Sequence, residues 1–319
     1  MNEIFVDSLH TRPCVYERDK SSIIDLLRTY RVETSVAVYT TIWRVRLLLT
    51  SRVWDPEQDI CIWETQSGQM AAFAMLWRRR ATSPYLALDR FIHPSFAYSE
   101  LASDMLTWGN QRAEAIVAGQ AIPLTVYAQD FPPQFHLDNR YESCGFTPLE
   151  INFDGYNVYF GRSLAGKLPA PVLPPGYAIR HLQGVQELKA YQSMYSFAAV
   201  NPEHQQELFD SDEYNHLVVV DAHGKLAAYC ESSIDRLEWL DSGQRIGWID
   251  YIETRPEQQG QGLGQAVMWA GLNRLQEMGA ETAMLITLSN NVAANRLYAR
   301  TGFERMENLE PRRYEKHIS

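Results

Sequence analysis

The chain has 319 residues, 45% of them hydrophobic and 21% charged, which is the composition of an ordinary soluble globular protein. This length is sufficient for two domains that each bury their own core. The formal net charge of −10 argues against a general nucleic-acid-binding surface, so no nucleic-acid partner is expected. The charge does not exclude an anionic ligand, because a loop of backbone N–H groups binds phosphate locally whatever the total charge.

The cysteines and histidines give no sign of a disulfide or metal framework. The four cysteines are far apart in the sequence and form no C-x-x-C pair, which indicates reduced thiols. The eight histidines show no H-x-x-x-H spacing, so no metal is expected. No apolar run approaches the length of a membrane span, and the first residues lack the basic start and apolar core of a signal peptide. We therefore expect a cytoplasmic protein with no membrane partner.

In chain order, the first half is predicted to begin with two helices and to continue with strands and further helices. The predicted helices are 21–30, 35–53, 99–117 and 139–143. The predicted strands are 59–64, 70–77, 85–92 and 124–129. Gly145-Phe146 then leads into the final strands of this half.

A proline-rich stretch separates this half from the next. Four prolines occur between Leu164 and Gly176, where they favour extended conformations and exclude helix. We therefore predict one domain at 1–165, a linker at 166–175 and a second domain at 176–319.

The second half repeats the order of elements. Its predicted strands are 177–180, 217–220, 225–233, 245–254 and 281–288. Its predicted helices are 185–198, 265–278 and 292–300.

A glycine-rich turn follows the strand that ends at Thr254. Gly260, Gly262 and Gly264 leave the backbone without Cβ atoms at the point where the next helix begins. Free N–H groups and the positive end of the helix dipole would then face outward together. The sequence therefore predicts a phosphate-binding turn, although a strand-to-helix turn without a ligand could carry the same pattern.

Two better-known phosphate-binding turns have a different sequence. A P-loop requires Gly-Lys-Ser/Thr, and here Gly264 is followed by Gln265 and Ala266. A dinucleotide fingerprint requires G-x-G-x-x-G, whereas the spacing here is Gln259-x-x-Gly262-x-Gly264.

A second motif lies one strand further along the chain. It runs from Asn290 to Phe303 and reads NNVAANRLYARTGF. Together with the Gln259-x-x-Gly262-x-Gly264 turn, it resembles the two signatures of the GNAT superfamily of acetyl-CoA-dependent N-acyltransferases. The resemblance covers about 175–319. It implies an α/β (α+β) fold of two tandem GNAT-like domains, each a mixed, mostly antiparallel sheet flanked by helices.

The resemblance also implies which residues bind the cofactor, acetyl-CoA. Its pyrophosphate would contact the turn formed by Gln259, Gly260, Gln261, Gly262, Leu263 and Gly264. The strand backbone at Ile252, Glu253 and Thr254 would bind the pantetheine arm and the acetyl carbonyl. Asn295 would hydrogen-bond the pantetheine, and Tyr298 would protonate the departing CoA sulfur. A structural alternative stays open for each of these side chains. Asn295 would then be a helix-capping or solvated amide, and Tyr298 would fill the core.

The general base has three candidates. Amine acetylation needs a carboxylate that accepts a proton from an ammonium group, directly or through water. Asp250 and Glu253 lie on the strand before the turn, and Glu231 lies on the preceding strand. Because Asp250 and Glu253 are an odd number of residues apart, a regular strand would point them to opposite faces, so at most one would line the cleft.

The first half is expected to be a degenerate copy of the second. Tyr141 aligns with Tyr298, and His93-Pro94 aligns with Arg255-Pro256. The segment after Pro94 contains no glycine, so its side chains would block the approach of a pyrophosphate. Asp138 takes the position of Asn295 and adds a charge unsuited to a phosphorylated ligand. We expect the first half to have lost CoA binding.

These observations predict an N-acetyltransferase that moves an acetyl group from acetyl-CoA to a primary amine of a small molecule or peptide by direct attack. Two alternatives stay open: a non-catalytic acyl-CoA-binding or regulatory protein, and a structural platform for a partner. The tandem arrangement with one degenerate copy resembles that of the mycothiol synthases. This resemblance concerns the architecture alone and does not imply their thiol-sugar substrate for this chain. The acceptor pocket is expected from 191–214, and the protein is expected to be a monomer or a homodimer.

Overall fold

The computed structural model describes residues 9–34, 42, 45, 49, 55–78, 83–96, 100–120, 122–130, 138–149, 157–187, 190–191, 193–194, 210–307 and 311–319. The chain divides into two compact units. The first comprises 1–38, 48–152 and 311–319, and the second comprises 39–47 and 153–310.

The first unit is built on a seven-stranded mixed sheet. Its strands are β1 (His10–Pro13), β2 (Ile60–Glu64), β3 (Met70–Trp77), β4 (Tyr85–Ile92), β5 (Leu124–Asp130), β6 (Thr147–Pro148) and β14 (Arg312–Ile318), in the order β1-β2-β3-β4-β5-β14-β6. The β4–β5 pair is parallel, and the other pairs described in this sheet are antiparallel.

The helices whose bounds lie within the described part of this unit are α1 (Tyr16–Thr34), α2 (Pro56–Asp59), α3 (Leu101–Gln120) and α4 (Asp138–Ser143). A 3₁₀ turn, Pro94–Phe96, follows β4. Apolar side chains of α3, among them Leu101, Met105 and Leu106, pack with strand residues and with Tyr141 and Phe146 in one buried cluster. Burying this apolar face against the sheet is what stabilises the helix there.

The second unit contains an equivalent seven-stranded sheet. Its strands are β7 (Asn157–Ser163), β8 (Ala178–His181), β9 (Tyr214–Val220), β10 (Leu226–Ile234), β11 (Ile246–Thr254), β12 (Thr282–Leu288) and β13 (Glu304–Arg305), in the order β13-β7-β12-β11-β10-β9-β8. Here the β11–β12 pair is parallel, and the other pairs described are antiparallel.

Where the second unit is described in full, its helices are α5 (Arg236–Ser242), α6 (Leu263–Glu277) and α7 (Val292–Arg300), with 3₁₀ turns at Gly184–Glu187 and Pro256–Gln258. Both faces of the sheet are covered. One face packs against α6 through residues such as Val267, Leu272 and Cys230. The opposite face carries Tyr191, Val218 and Tyr229, and we call it the tyrosine face.

The two sheets have the same strand order, and each is completed by a strand from the other half of the chain. β7 precedes the proline-rich stretch but pairs with β12, and β14 ends the chain but pairs with β5. The sheets therefore do not divide at the sequence-based boundary of 165 and 176. The sequence-based boundary was placed from the proline content. Prolines indicate where the chain is locally stiff, but they do not indicate with which strand a neighbouring strand pairs.

Most predicted elements are present within a few residues of their expected ends. The helix expected at 185–198 is not formed at its start, where the described residues make a 3₁₀ turn at Gly184–Glu187. Most of the helix expected at 35–53 and most of the acceptor segment at 191–214 lie outside the described residues; within 35–53, residues 42, 45 and 49 are described and are helical. Helix α5 was not predicted; it has Asp235 as its N-cap and Gly243 in the left-handed conformation at its end.

Candidate active site

The glycine turn leads directly into α6. Its glycines are required for two different reasons, the backbone conformation and the close approach of α6 to β11. Gly260 and Gly262 have φ angles of 77° and 84°, and a Cβ at either position would meet no atom within 4 Å. Both residues therefore need the left-handed region, and the space above them is open. Gly264 has no positive φ, but a Cβ there would lie 3.2 Å from the Thr254 hydroxyl. Gly264 allows the first turn of α6 to approach β11.

The start of α6 has no capping side chain. Gly262 is the N-cap residue and makes no side-chain hydrogen bond to the first turn. N–H groups in the first turn of a helix have no intrahelical acceptor, so they are available to an anion together with the helix dipole. Gly260 and Gly262 are exposed, and this open, uncapped turn fits a phosphate group.

Glutamine side chains hold the turn in place. Gln259 Nε2 donates to the Thr254 carbonyl at 3.1 Å. Gln261 Nε2 donates to Gln258 Oε1 at 3.1 Å, and the Tyr177 hydroxyl lies within hydrogen-bond distance of the Oε1 atoms of both glutamines. The turn is thus ordered by its own hydrogen bonds, which lowers the conformational cost of binding a ligand.

β11 and β12 separate just before the turn. Their parallel pairing runs from Ile246 and Thr282 to Ile249 and Leu285 and then stops, although β11 continues to Thr254. We call the space between the separated ends of these strands the slot. Backbone N–H and C=O groups of a strand alternate between its two neighbours. Because the Arg255 N–H donates to Ala227 on the β10 side, the alternation turns the amides of Ile252 and Thr254 toward the slot.

A β-bulge at Asp250 interrupts the pairing of β11 with β10. Glu231 pairs with Tyr251, but the next residue of β10, Ser232, pairs with Ile249. Ile249 and Ile252 both pack on the α6 face although they are three residues apart, and Tyr251 packs on the tyrosine face. The bulge thus places Asp250 on the same side as Tyr251.

This arrangement corrects one expectation from the sequence. Alternation predicts Asp250 and Glu253 on opposite faces, and the structure brings both to the tyrosine face. The physical reason is the extra residue of the bulge, which shifts the alternation by one position. Nothing in the residue types around Asp250 signals a bulge, so sequence reasoning had no means to find it.

The third carboxylate, Glu231, is deeply buried within the tyrosine face. It is 2% exposed, and its two oxygens accept hydrogen bonds from the hydroxyls of Tyr191 and Tyr214, the latter at 2.5 Å. His216 Nδ1 lies 3.5 Å from Glu231 Oε1. Burial is the strongest single influence and raises the pKa of Glu231, but the hydrogen bonds from His216, Tyr191 and Tyr214 together lower that pKa below its ordinary value.

Glu253 is more accessible than Glu231. It is half-buried, and its Oε2 accepts a hydrogen bond from the Tyr229 hydroxyl at 3.1 Å. Tyr229 also contacts the Tyr191 ring, with centroids 4.9 Å apart. The pKa of Tyr214 is raised well above its ordinary value by burial first, then by Glu231 and then by Asp250, which is also half-buried. The tyrosine face therefore gathers all three candidate carboxylates.

Tyr298 lies on the other side of the sheet, within the α6-facing core. It is 5% exposed and packs between the rings of Phe160 and Phe303. Burial raises its pKa to about 12, against the opposing effect of a hydrogen bond with Thr287. Thr287 belongs to the part of β12 beyond the parallel pairing, so the Tyr298 hydroxyl lies at the edge of the slot.

Asn295 has a clear structural role. Its Nδ2 donates to the Ser289 carbonyl at 2.9 Å and so closes the turn between β12 and α7. Asn291, not Asn295, caps α7. The Asn295 Oδ1 is buried without a hydrogen-bond partner among the described residues, which leaves one acceptor for a ligand N–H group.

The equivalent slot in the first unit is filled by side chains. β4 and β5 also stop pairing early, after Leu88 and Ala128. Beyond that point Arg90 Nη2 donates to Asp130 at 2.6 Å and to the Tyr141 hydroxyl, and the Arg90 and Asp130 side chains are only 5% and 2% exposed. Tyr141 and Asp130 occupy the places that Tyr298 and Thr287 have in the second unit.

The first unit also lacks the bulge. β3 and β4 pair without a register shift from Trp77 and Ala87 to Ala72 and Ile92. No residue of β4 is therefore displaced toward the face that carries the carboxylates in the second unit. Both differences agree with the expected loss of CoA binding, which stays a prediction.

Three further observations concern possible ligands and a membrane. A cavity of about 390 Å³ in the first unit is lined by residues that include Asp59, Leu76, Arg78 and Arg112, and it involves none of the predicted site residues. Across the described ranges, no three His, Cys, Asp or Glu side chains are grouped so that they could hold a metal ion. In the same ranges, no helix combines the length and the apolar character needed to cross a bilayer.

The segment that contains the turn, the slot and Tyr298 matches a known protein family. Residues 185–303 match the Acetyltransferase (GNAT) family. This segment is a GNAT acetyltransferase domain. A mycothiol acetyltransferase from Pseudarthrobacter chlorophenolicus is 31% identical over 153 residues, which cover 44% of this chain and 46% of that protein. The match thus spans about half the length of that relative.

Solved structures show the same fold over both units. A tandem GNAT protein from the clavulanic acid biosynthesis pathway has a TM-score of 0.63 and 14% identity, over 98% of this chain and 99% of that one. Saccharomyces cerevisiae N-myristoyltransferase, solved with bound myristoyl-CoA, has a TM-score of 0.62 and 10% identity, over 99% and 80% of the two chains. The predicted fold of two tandem GNAT-like units is therefore confirmed.

Proposed function

We propose that the second unit transfers an acetyl group from acetyl-CoA to a primary amine of a small molecule or peptide. The observation that carries this proposal is the slot, which opens beside an uncapped helix start within the GNAT domain. An extended acyl-CoA arm needs unpaired strand amides, and its pyrophosphate needs free N–H groups at the end of that strand. The slot and the glycine turn offer these groups in the required order along the chain.

In this proposal the turn from Gln259 to Gly264 binds the pyrophosphate. The exposed positions Gly260 and Gly262 admit the phosphates to backbone contact, and the α6 dipole favours their charge. Asn295 Oδ1 is offered to an N–H group of the pantetheine. The chain's overall negative charge has little influence on this local contact.

The amides of Ile252 and Thr254 are proposed to bind the acyl end. An N–H group directed at the thioester oxygen stabilises the negative charge that develops there, and such a donor typically contributes about 3 kcal/mol. The Thr254 carbonyl is already used by Gln259, which leaves the Ile252 and Thr254 N–H groups for the ligand.

Glu253 is proposed as the general base, with Asp250 as its competitor. The base must reach the acceptor ammonium, and Glu253 is half-buried on the face that would receive the acceptor. Glu231 is a poorer candidate because it is almost completely buried and both of its oxygens already accept hydrogen bonds from tyrosine hydroxyls. The bond that forms joins the amine nitrogen to the acetyl carbon, and the bond that breaks joins that carbon to sulfur.

Tyr298 is proposed to donate a hydrogen bond to the departing sulfur. A pKa of about 12 keeps its hydroxyl protonated at neutral pH, as a donor requires. A thiol has an ordinary pKa of about 8.5, so complete proton transfer from Tyr298 to a thiolate would be uphill by about 5 kcal/mol. Its main contribution is therefore expected to be charge stabilisation while the C–S bond breaks.

Release of free CoA thiol tests the proposal. Acetyl-CoA is incubated with the protein and a panel of amino acids, amino sugars, polyamines and peptides, and both free thiol and acetylated product are measured. Thiol and N-acetyl product should appear in equal amounts with at least one amine class. Acetyl-CoA binding with no thiol release from any amine would instead support the non-catalytic alternative.

A further inference from the structure

The cavity of the first unit is separate from the slot of that unit. Its volume is about 390 Å³, which is within the range of small-molecule sites. Leu86 lines the cavity and belongs to the part of β4 that pairs with β5, whereas the slot begins beyond Leu88, where that pairing ends. None of the three side chains that fill the slot, Arg90, Asp130 and Tyr141, lines the cavity. The cavity therefore stays open although the slot is filled.

Part of the cavity wall is apolar. Leu76 of β3 and Leu86 of β4 line it and are at most 2% exposed. Ile116 of α3 packs against the same buried cluster, and Ala115 adds a methyl group. Contact with such a wall removes apolar surface of a ligand from water, which favours a ligand with an apolar body.

Helix α3 presents one face to the cavity. The lining residues of this helix are spaced as i, i+3, i+4 and i+7: Arg112, Ala115, Ile116 and Gly119. A Cβ at Gly119 would meet no atom within 4 Å. The other glycine of α3, Gly109, has a packing reason, because a Cβ there would lie 2.6 Å from Leu88 Cδ2. Gly119 has no such contact, and the absence of a side chain there widens this end of the cavity.

The carboxylates at the cavity are used within the protein, whereas one guanidinium is only partly used. Asp59 is 5% exposed and accepts hydrogen bonds from the Asp55 N–H at 2.8 Å and from Arg112 Nε at 2.6 Å. Asp55 caps α2 and accepts from the Glu57 N–H and from Gln58 Nε2. Nη1 and Nη2 of Arg112 donate to no residue that the structure describes. These N–H groups are available to an acceptor on a ligand.

We propose that this cavity binds a small carboxylic acid with a compact apolar body. The carboxylate of the ligand accepts hydrogen bonds from Nη1 and Nη2 of Arg112, a geometry that suits a planar guanidinium. Arg78 also lines the cavity and adds a second positive charge. The apolar body lies against Leu76, Leu86 and Ile116. This site is independent of the acetyl transfer proposed for the second unit.

Calorimetric titration of the whole chain with hexanoate and 3-phenylpropionate, each compared with its neutral amide, tests the proposal. We expect at least one acid to bind with a Kd of about 1 mM or less, and its amide to bind at least about tenfold more weakly, because the amide lacks the charge. Excess acetyl-CoA should not change the Kd of the acid. The proposal is overturned if neither acid binds with a Kd below about 10 mM, if acid and amide bind equally, or if acetyl-CoA competes with the acid.

Substitutions in α3 locate the bound acid. Arg112→Gln should weaken binding at least about tenfold, because it removes the charged donors. Arg236→Gln removes an exposed arginine of the second unit and should have no effect. Gly119→Trp should also weaken binding at least about tenfold, because the indole fills the open end of the cavity. Glu114→Trp is its control, since Glu114 is an exposed residue of α3 that does not line the cavity.

Wild-type affinity for the acid in either Arg112→Gln or Gly119→Trp would place the acid elsewhere and refute the proposal. Arg112→Gln leaves Asp59 short of a hydrogen bond, so Gly119→Trp decides the test if Arg112→Gln does not fold. The result is separate from the proposed function. Acid binding should be equal in wild type and Gly262→Ala, and failure to acetylate any amine would refute acetyl transfer without affecting acid binding.

Discussion

At the scale of single residues, the three carboxylates differ in what surrounds them. Glu231 is shielded from water and accepts hydrogen bonds from two tyrosines, so its charge is already used within the protein. Glu253 and Asp250 are half-buried and share the tyrosine face because of the bulge. A general base must exchange its proton with a ligand. Glu253 and Asp250 are therefore better candidates than Glu231, because they are more accessible.

Glu253→Gln should lower kcat by about a hundredfold, because the amine then loses its proton acceptor. The fall in the wild-type rate at acid pH that a carboxylate base predicts should disappear in this variant. Asp250→Asn, which removes the neighbouring carboxylate, should keep kcat within about fivefold. The measurement is a pH–rate profile of all three proteins, and the reverse pattern would assign the base to Asp250.

Tyr298→Phe should lower kcat by about a hundredfold and leave acetyl-CoA affinity unchanged, because a donor to the leaving sulfur acts mainly in the transition state. Since the pKa of Tyr298 is raised to about 12, the wild-type rate should not fall through loss of this proton below about pH 10. Stopped-flow thiol release and calorimetric binding provide the two readouts. A phenylalanine variant with wild-type kcat would reduce Tyr298 to core filling.

At the scale of elements, the sequence predicted the strands and helices well but not the distortions that make the site. Apolar periodicity identified β11, α6, β12 and α7 to within a few residues, and the glycine spacing placed the turn correctly. The bulge at Asp250 and the early end of the β11–β12 pairing depend on contacts between strands. Such contacts are not encoded in the local residue pattern, so they could not be predicted from it.

The pKa of Glu231 gives a prediction about the stability of β10 and its neighbours. Its folded pKa is below the ordinary value of about 4.5, so the group adds stability above that pH and loses it as the pH falls through the folded pKa. Glu231→Gln should therefore be less stable at neutral pH and should lose less stability on acidification below about pH 4.5. Urea unfolding at a series of pH values measures both slopes. Parallel curves for wild type and Glu231→Gln would contradict the lowered pKa.

At the scale of the whole molecule, two copies of one fold differ at the slot. The strand order is the same in both sheets, and β7 and β14 each complete the sheet of the other half, which proline composition could not reveal. In the first unit Arg90, Asp130 and Tyr141 fill the slot that stays open in the second. We therefore predict that the first unit, whose slot holds this buried ion pair, does not bind acetyl-CoA.

Arg90→Ala should destabilise the first unit by about 3–5 kcal/mol, because it leaves the carboxylate of Asp130 buried without its guanidinium partner. Arg236→Ala removes an arginine from an exposed ion pair with Asp212 and should cost less than about 1 kcal/mol. Chemical denaturation measures both values. A small effect of Arg90→Ala would show that water reaches this slot.

Calorimetric titration with acetyl-CoA of wild type, Gly262→Ala and Gly224→Ala tests whether the glycine turn of the second unit binds the cofactor. Gly224 has a φ of 78° and open space around it, like Gly262, but it lies in the β9–β10 hairpin and so controls for backbone strain. Wild type and Gly224→Ala should bind one acetyl-CoA per chain with equal affinity, and Gly262→Ala should bind at least about tenfold more weakly. Equal affinity in all three proteins, or two bound molecules per chain, would contradict the account.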